Sequence, residues 1–207
     1  MNTQSGRSMV EMLGVLAIIG VLSVGAISGY AKAMRKYRLN KLSEQLNTVI
    51  NAVARNAQSF NNLTSNTTVL PYLIKMGEIP SEMVQQNNNN GYIRDIFGNQ
   101  LYVTYHPGNV DVTTGVPNVT ILYYYLNLQG NLDLCQTVFN LIKEHSGDIY
   151  YAYLNGGSGN LKQYFGDSNC SSSVKCLRNI TLDDIAQTCS LPSTQEQSEM
   201  AILWQNK

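Results

Sequence analysis

Glu11 is the only charged residue in a long apolar segment near the amino terminus. It lies in the segment GRSMVE (residues 6–11), and no further charge occurs until Lys32. As a helix, the uncharged residues 12–31 would reach ~30 Å, which is the hydrocarbon thickness of a bilayer. A carboxylate carried to the centre of such a span would cost about 3 kcal/mol. The sequence therefore predicts that Glu11 needs a partner.

Four cysteines form the second group of reactive residues: Cys135, Cys170, Cys176 and Cys189. They lack the paired CxxC spacing of a zinc site, and the chain has only two histidines, so we expect no metal site. Two disulfides in an oxidising compartment fit better, and three pairings are possible. We favour Cys170–Cys176 as a local loop and Cys135–Cys189 as a clasp. Loop-closure entropy predicts that the clasp stabilises the folded protein by about 4 kcal/mol and the small loop by about 2 kcal/mol.

Several kinds of catalytic and binding site find no support in the sequence. The glycines at 156–159 lack the Lys-Ser/Thr of a phosphate-binding loop, and no GxSxG motif occurs. His106 and His145 form no evident triad, and Asp183-Asp184 is more typical of a helix N-terminus than of a metal site. Charged residues make up 14% of the chain and the formal net charge is zero, which disfavours nucleic-acid binding. We expect no catalytic residues, no cofactor and no nucleic-acid partner.

The amino-terminal segment is predicted to be one long helix. Beyond the apolar span, apolar residues recur mostly at steps of three or four, as on one face of an amphipathic helix. They are Tyr30, Met34, Tyr37, Leu42, Leu46, Val49, Val53 and Ala57. No proline precedes Pro71, so a continuous helix from about Arg7 to Ala57 is the simplest solution. The span is too long for a cleaved secretory signal, and residues 1–6 carry no basic side chain such as a signal would have.

Two features of this helix have more than one explanation. Its glycines at 14, 20, 25 and 29 allow close helix approach, but glycine is also generally tolerated in membrane helices. Five basic residues follow the span: Lys32, Arg35, Lys36, Arg38 and Lys41. The positive-inside rule would place them in the cytoplasm, whereas disulfides would place the second half outside. We favour the orientation given by the cysteines, with the bases either meeting acidic groups of neighbours or forming a solvated face.

The second half is predicted to contain both helices and strands after a polar break at 61–68. Helices are expected at Val69–Lys75, Asp133–Glu144 and Leu182–Thr188. Strands are expected at Leu101–Tyr105, Val119–Leu128 and Met200–Gln205, the last as a closing strand. Ile149–Leu154 is either a strand or a buried aromatic segment. Pro107-Gly108-Asn109 is predicted to close a turn.

The segment GRSMVEML (residues 6–13) and its continuation to Tyr30 resemble the class III leader and first helix of type IV prepilins. The resemblance implies that a prepilin peptidase cuts after Gly6 and methylates the new amino terminus at Arg7. Glu11 then matches the glutamate that pairs with the terminal ammonium of a neighbouring subunit. Such a pair is tolerable when buried, while either charge alone is not. A local alternative is pairing of Arg7 with Glu11 within one helix, since they are four residues apart.

The second half is similar to the type IVb pilin head of toxin-coregulated and plasmid-encoded thin pili. The motifs concerned are Gly77-Glu78-Ile79-Pro80, Phe97-Gly98-Asn99, a tyrosine-rich strand and a Leu-Cys pair in a helix. The resemblance implies an α+β pilin fold, with a long N-terminal helix packed on an antiparallel sheet. It also implies that Cys135 and Cys189 supply a disulfide that bounds a variable surface region. The implied parts are a leader (1–6), the helix (7–60, membrane-spanning at 12–31) and a disulfide-bonded head (61–207).

The resemblance implies a structural function. The prepilin would be held in the bacterial inner membrane by a single span, with its head in the periplasm. An ATP-powered assembly machinery would then polymerise it into a homo-oligomeric extracellular filament for adhesion, aggregation or mating contact. A minor pilin or a type II secretion pseudopilin is the alternative within the family. Outside the family, the alternative is a membrane-anchored periplasmic binding domain that never polymerises.

Overall fold

The fold is described from a computed structural model, which describes residues 7–85, 91–109, 117–126, 131–155, 161–190 and 198–206. The chain divides into two compact units, Met1–Asn40 and Lys41–Lys207. Helix α1 (Arg7–Asn56) contributes to both of them. In the first unit, the large apolar side chains from Met9 to Ile27 are 52–75% exposed. At residues 9–40 the first unit thus has an apolar surface, and none of these side chains is buried.

The part of α1 in the second unit packs its apolar stripe into a core. Its most buried side chains are at most 2% exposed: Leu42, Leu46, Val49, Ile50 and Val53. The predicted helix is confirmed, ending at Asn56 and continuing as a 3₁₀ turn over Ala57–Asn62. Tyr30 and Tyr37 of the predicted stripe are 68% and 58% exposed, so the stripe is buried only from Leu42 onward.

An antiparallel sheet forms the centre of the second unit. Its strands within the described ranges are β1 (Thr67–Thr68), β2 (Ile93–Arg94), β3 (Gln100–Asn109), β4 (Pro117–Leu126), β5 (Tyr151–Asn155), β6 (Leu161–Phe165) and β7 (Ser198–Gln205). The strand order is β1-β3-β4-β7-β5-β6, and β2 pairs with β3. Strand β7 therefore lies in the middle of the sheet, where it pairs with β4 and with β5.

Three further α-helices lie in the described part of the second unit: α2 (Leu70–Lys75), α3 (Leu132–Glu144) and α4 (Leu182–Cys189). The face of α3 that the sequence predicts to be apolar is buried, with Val138 and Ile142 at most 1% exposed. At the start of α4, Thr181 and Asp184 form a capping box, which satisfies amide groups that a helix N-terminus leaves without partners. The predicted α+β architecture, with a long N-terminal helix packed on an antiparallel sheet, is confirmed.

Other predictions need correction. Pro107-Gly108-Asn109 does not end β3, because the strand continues to Asn109 with a shift of register between His106 and Asn109. Gly108 has φ +75°, a backbone conformation that favours glycine, so the residues form a bulge. The strand predicted at Met200–Gln205 is confirmed as β7, which is central in the sheet. Strand β6 was not predicted, and its first residues, Leu161 and Lys162, are exposed.

The units divide between Asn40 and Lys41, because the buried stripe makes the last turns of α1 part of the second unit. Residues 127–128, predicted to extend β4, and the glycines at 156–159 lie outside the described residues. The Ile149–Leu154 segment forms strand β5 from Tyr151 onward.

Candidate functional site

The structure locates the predicted processing and assembly residues only in part. Gly6 lies outside the described residues. Arg7 is the first residue of α1, and its side chain is likewise outside the description. Glu11 lies in the second turn of α1 with an exposed side chain. Pairing of Arg7 with Glu11, within one chain or between chains, therefore stays a prediction.

The apolar segment after Glu11 has the dimensions of a membrane span. Among the described residues, one helix is long and apolar enough to cross a bilayer, judged by length and composition. Along the axis, Glu11 and Lys32 are separated by about 32 Å of helix without a charge. None of the most apolar part of this helix is buried within the protein. This surface needs an apolar environment from outside the chain.

Glu11 shares one face of α1 with three of the four glycines. At about 100° per residue, Glu11, Gly14, Gly25 and Gly29 fall within an arc of about 60°, with Gly20 on the opposite side. A Cβ added at any of these glycines would meet nothing within 4 Å. Contacts within the protein therefore do not require glycine at these positions. The small side chains leave space for another helix to approach the face that carries Glu11.

Both disulfides lie in the second unit and join the pairs that the sequence analysis favours. The bond Cys135–Cys189 spans 54 positions and links α3 to the end of α4. Its cysteines are 0% and 4% exposed. The bond Cys170–Cys176 closes a loop of six positions. The first bond therefore crosses the core, while the second is local.

The small disulfide loop borders a surface cavity of about 500 Å³. Two cations line this cavity, and each lies beside a carboxylate. Lys175 Nζ is 3.0 Å from Asp184 Oδ1, and Arg178 Nε is 4.0 Å from Asp167 Oδ1. Because the positive charges are balanced, the cavity offers no strong site for an anion.

The sequence analysis missed a buried carboxylate at Asp95, which is 6% exposed. Its Oδ1 accepts hydrogen bonds from the backbone N–H groups of Phe97 (2.8 Å) and Asn99 (2.9 Å). Its Oδ2 accepts from Asn99 Nδ2 at 2.8 Å and from the Tyr124 hydroxyl. Burial, followed by the charge of Asp95, raises the pKa of Tyr124, so the phenol remains a donor. Asp95 is thus a structural residue that orders the turn before β3.

The same turn is tied to α1. The Ile96 N–H donates a hydrogen bond of 3.0 Å to Gln45 Oε1, and Gln45 is itself 3% exposed. At the other end of the sheet, Asn206 accepts from Thr120 and donates to the Ala57 carbonyl. Buried polar contacts thus supplement apolar packing in fixing the last turns of α1, and the 3₁₀ turn that follows it, within the second unit.

Tyrosines on one face of the sheet surround a second carboxylate, Glu199. Its oxygens accept hydrogen bonds from Tyr125 (3.1 Å) and Tyr153 (2.8 Å). The hydroxyls of Tyr102 and Tyr125 are 2.7 Å apart, and their rings stack at 5.6 Å. Partial burial, followed by the contact with Tyr102, raises the pKa of Tyr125. The cluster links β3, β4, β7 and β5 across one face, in the manner of cross-strand pairs.

The Asp184 carboxylate gives a pH prediction. It accepts hydrogen bonds from the Thr181 hydroxyl (2.7 Å), from Lys175 Nζ (3.0 Å) and from the Thr181 N–H (3.1 Å). These bonds, in that order, lower the pKa of Asp184 from 3.8 to about 2. A folded-state pKa below the unfolded value stabilises the protein above pH 3.8, and this contribution is lost as pH falls toward about 2.

Asp184→Asn should remove this contribution. Thermal unfolding of the full chain in detergent should therefore show a smaller loss of stability over that pH range than the wild type shows. Asp183→Asn is the matched control, because Asp183 accepts from Gln187 and not from Thr181 or Lys175. The control should keep the wild-type pH dependence. Identical pH dependence in Asp184→Asn and wild type would contradict the prediction.

The described residues include no group of three His, Cys, Asp or Glu side chains placed to hold a metal ion. Comparison with protein families and with curated proteins finds no match to this chain. What the structure gives is an exposed apolar helix with one carboxylate near its start, joined to a disulfide-bonded α+β unit.

Proposed function

We propose that the chain is a prepilin, a structural subunit of a type IVb-like pilus. It is inserted in the inner membrane, cleaved after Gly6 and polymerised into an extracellular filament. The proposal rests on the resemblance of residues 6–30 to prepilins and on the α+β unit that follows the helix. No catalytic role is proposed.

The observation that carries the proposal is the solvent-exposed apolar half of α1 with Glu11 near its start. In a bilayer, lipid tails can cover the apolar side chains but cannot neutralise the carboxylate. A bundle of sister helices can do both, because the ammonium of a newly cleaved amino terminus can pair with Glu11 of a neighbour. The face formed by Glu11, Gly14, Gly25 and Gly29 gives such a neighbour room to approach.

The free energy of moving the apolar helix from lipid into a filament explains why assembly would need an assembly machinery. Burial of apolar surface stabilises by about 25 cal/mol per Å² when the surface leaves water. The same surface gains little when it leaves lipid, because lipid tails are equally apolar. Extraction of the helix from the membrane would therefore be driven by the assembly machinery, with the Glu11 pair setting the register of the incoming subunit.

Mass spectrometry of the mature amino terminus tests the proposal directly. In a bacterium with a prepilin peptidase, the protein should begin at Arg7 with a methylated amine. Gly6→Val should block cleavage, because the peptidase is expected to require the glycine. Gly14→Ala is the control, since it changes a glycine of the span and should leave cleavage intact. A membrane-bound protein that still begins at Met1 would contradict the proposal.

A further inference from the structure

Positive charge is concentrated immediately after the apolar span. Residues 32–41 hold five of the fourteen Lys and Arg residues, and no acid occurs between Glu11 and Glu44. Residues 42–207 hold eight bases and thirteen acids. A chain of zero net charge is thus divided into a short basic segment and an acidic second unit.

Three of these bases form a group that we call the basic collar: Lys32, Lys36 and Arg38. All three are exposed, whereas Arg35 is half-buried, has a partner of its own and is not part of the collar. The remaining base, Lys41, belongs to the second unit and pairs with Glu44 at 3.0 Å and Glu82 at 3.1 Å. The only acid of the first unit, Glu11, is about 32 Å along the helix from Lys32. The collar therefore has no carboxylate within reach in its own unit.

The position of the collar matches the headgroup layer of a bilayer. Lys32 directly follows the uncharged residues 12–31, which fill the hydrocarbon thickness. From Lys32 to Arg38 the helix rises about 9 Å. The polar layer on each side of the hydrocarbon is about 5–8 Å thick. If residues 12–31 span the membrane, the collar lies at the depth of the lipid phosphates.

We propose that the basic collar binds the phosphate headgroups of anionic phospholipids in the leaflet that faces the second unit. Lys32 and Lys36 lie within about 40° of each other on the helix and present two ammonium groups to one region of this layer. Arg38 extends the contact around the helix. The inference depends on the membrane span alone, so it holds whether or not the chain polymerises.

Anionic lipid would offset an unfavourable arrangement of charge. With the disulfides outside the cytoplasm, the collar lies on the side that the positive-inside rule disfavours. Phosphate headgroups on that side supply the counter-charge that the first unit lacks. The attraction should weaken with salt, because the Debye length falls from about 10 Å at 0.1 M to about 3 Å at 1 M.

Lipid selectivity of the full chain tests the proposal. The chain is reconstituted in phosphatidylcholine vesicles that contain a trace of spin-labelled phosphatidylglycerol or spin-labelled phosphatidylcholine. The immobilised fraction of each probe gives the preference for the anionic lipid. Because one base near an anionic surface contributes a factor of about five to binding, Lys32→Gln with Lys36→Gln should lower the preference at least about fivefold. High salt should lower the wild-type preference toward that of the variant.

The matched control is Lys75→Gln with Lys162→Gln, which removes two exposed lysines from the second unit. This control should keep the wild-type lipid preference. Formation of both disulfides and the helix content by circular dichroism should be the same in all three proteins. That check excludes unfolding as the cause of a lost preference.

Three results would overturn the proposal. The first is an equal preference for phosphatidylglycerol in the wild type and the collar variant. The second is loss of self-association by the collar variant in lipid-free detergent with its lipid preference unchanged, which would assign the collar to the acidic surface of a second copy. The third is tight binding of millimolar inorganic phosphate to the collar in detergent, which would make it a site for soluble phosphate.

Discussion

Replacement of Glu11 by alanine should abolish filament formation and leave membrane insertion and folding of the second unit intact. Removing one partner of a buried charge pair costs about 3–5 kcal/mol, because the other charge remains buried without compensation. That free energy corresponds to a loss of about a hundredfold to a few thousandfold in the equilibrium for subunit incorporation. The yield of sheared surface filaments, measured against total subunit in the membrane, gives the effect.

Two matched variants isolate the charge of Glu11. Glu11→Gln keeps the size of the side chain and should assemble as poorly as Glu11→Ala. Glu144→Ala removes an exposed carboxylate from the end of α3 and should assemble normally. Normal filaments from Glu11→Ala would contradict inter-subunit pairing. If the wild type also forms no filaments where an assembly machinery is present, a membrane-anchored domain becomes the better interpretation.

Removal of the Cys135–Cys189 disulfide should destabilise the second unit far more than removal of the Cys170–Cys176 disulfide. The first bond closes a loop of 54 positions that contains β5 and β6, and the second closes six. Loop-closure entropy predicts that Cys135→Ala with Cys189→Ala lowers the free energy of unfolding by about 4 kcal/mol. For Cys170→Ala with Cys176→Ala it predicts a loss of about 2 kcal/mol. For a chain of this size, the first loss corresponds to a fall of about 10 °C in the unfolding temperature.

The two double variants are controls for each other, because each removes one bond and two sulfur atoms. Thermal unfolding of the full chain in detergent, without reductant, gives both values. Reduction of the wild type should produce the combined loss. Equal losses from the two double variants would show that loop length does not govern the effect.

Helix α1 could be predicted closely from the sequence because its signals are local and agree. The absence of proline before Pro71 and the three- and four-residue steps from Leu42 to Val53 both indicate a helix. The steps continue through Tyr30 and Tyr37, which are exposed, so periodicity identified the helix but not where burial begins. Burial of an α1 side chain depends on contacts within the second unit, and the periodicity of the helix gives no information about those contacts.

The sheet could be predicted only in part, because composition identifies strands but not their neighbours. The continuous apolar run MAIL at 200–203 indicated a strand, and its apolar residues on both faces are typical of a central position. Its pairing with β4 and β5 depends on long-range contacts. Strand β6 escaped prediction because Leu161 and Lys162 lie exposed at an edge, where little alternation is required.

The candidate site could likewise be predicted only in part from the sequence. Gly6, Arg7 and Glu11 follow from a short contiguous motif and could be proposed from the sequence. The role of Asp95 could not be proposed, because two of the contacts that tie its turn to the core come from distant parts of the chain. Tyr124 is 29 positions from Asp95, and Gln45 is 51 positions from Ile96. The sequence around Asp95 shows only a carboxylate near a glycine and an asparagine.

The central position of β7 has a consequence for biogenesis. Among the described strands, only β7 joins β1 to β4 with the pair of β5 and β6. The ribosome makes β7 after both groups, so the two halves of the sheet keep bare edges until synthesis of the chain is nearly complete. Closure of the sheet is then a single late event, and the period before it is the time when the chain is most open to aggregation and to chaperone capture.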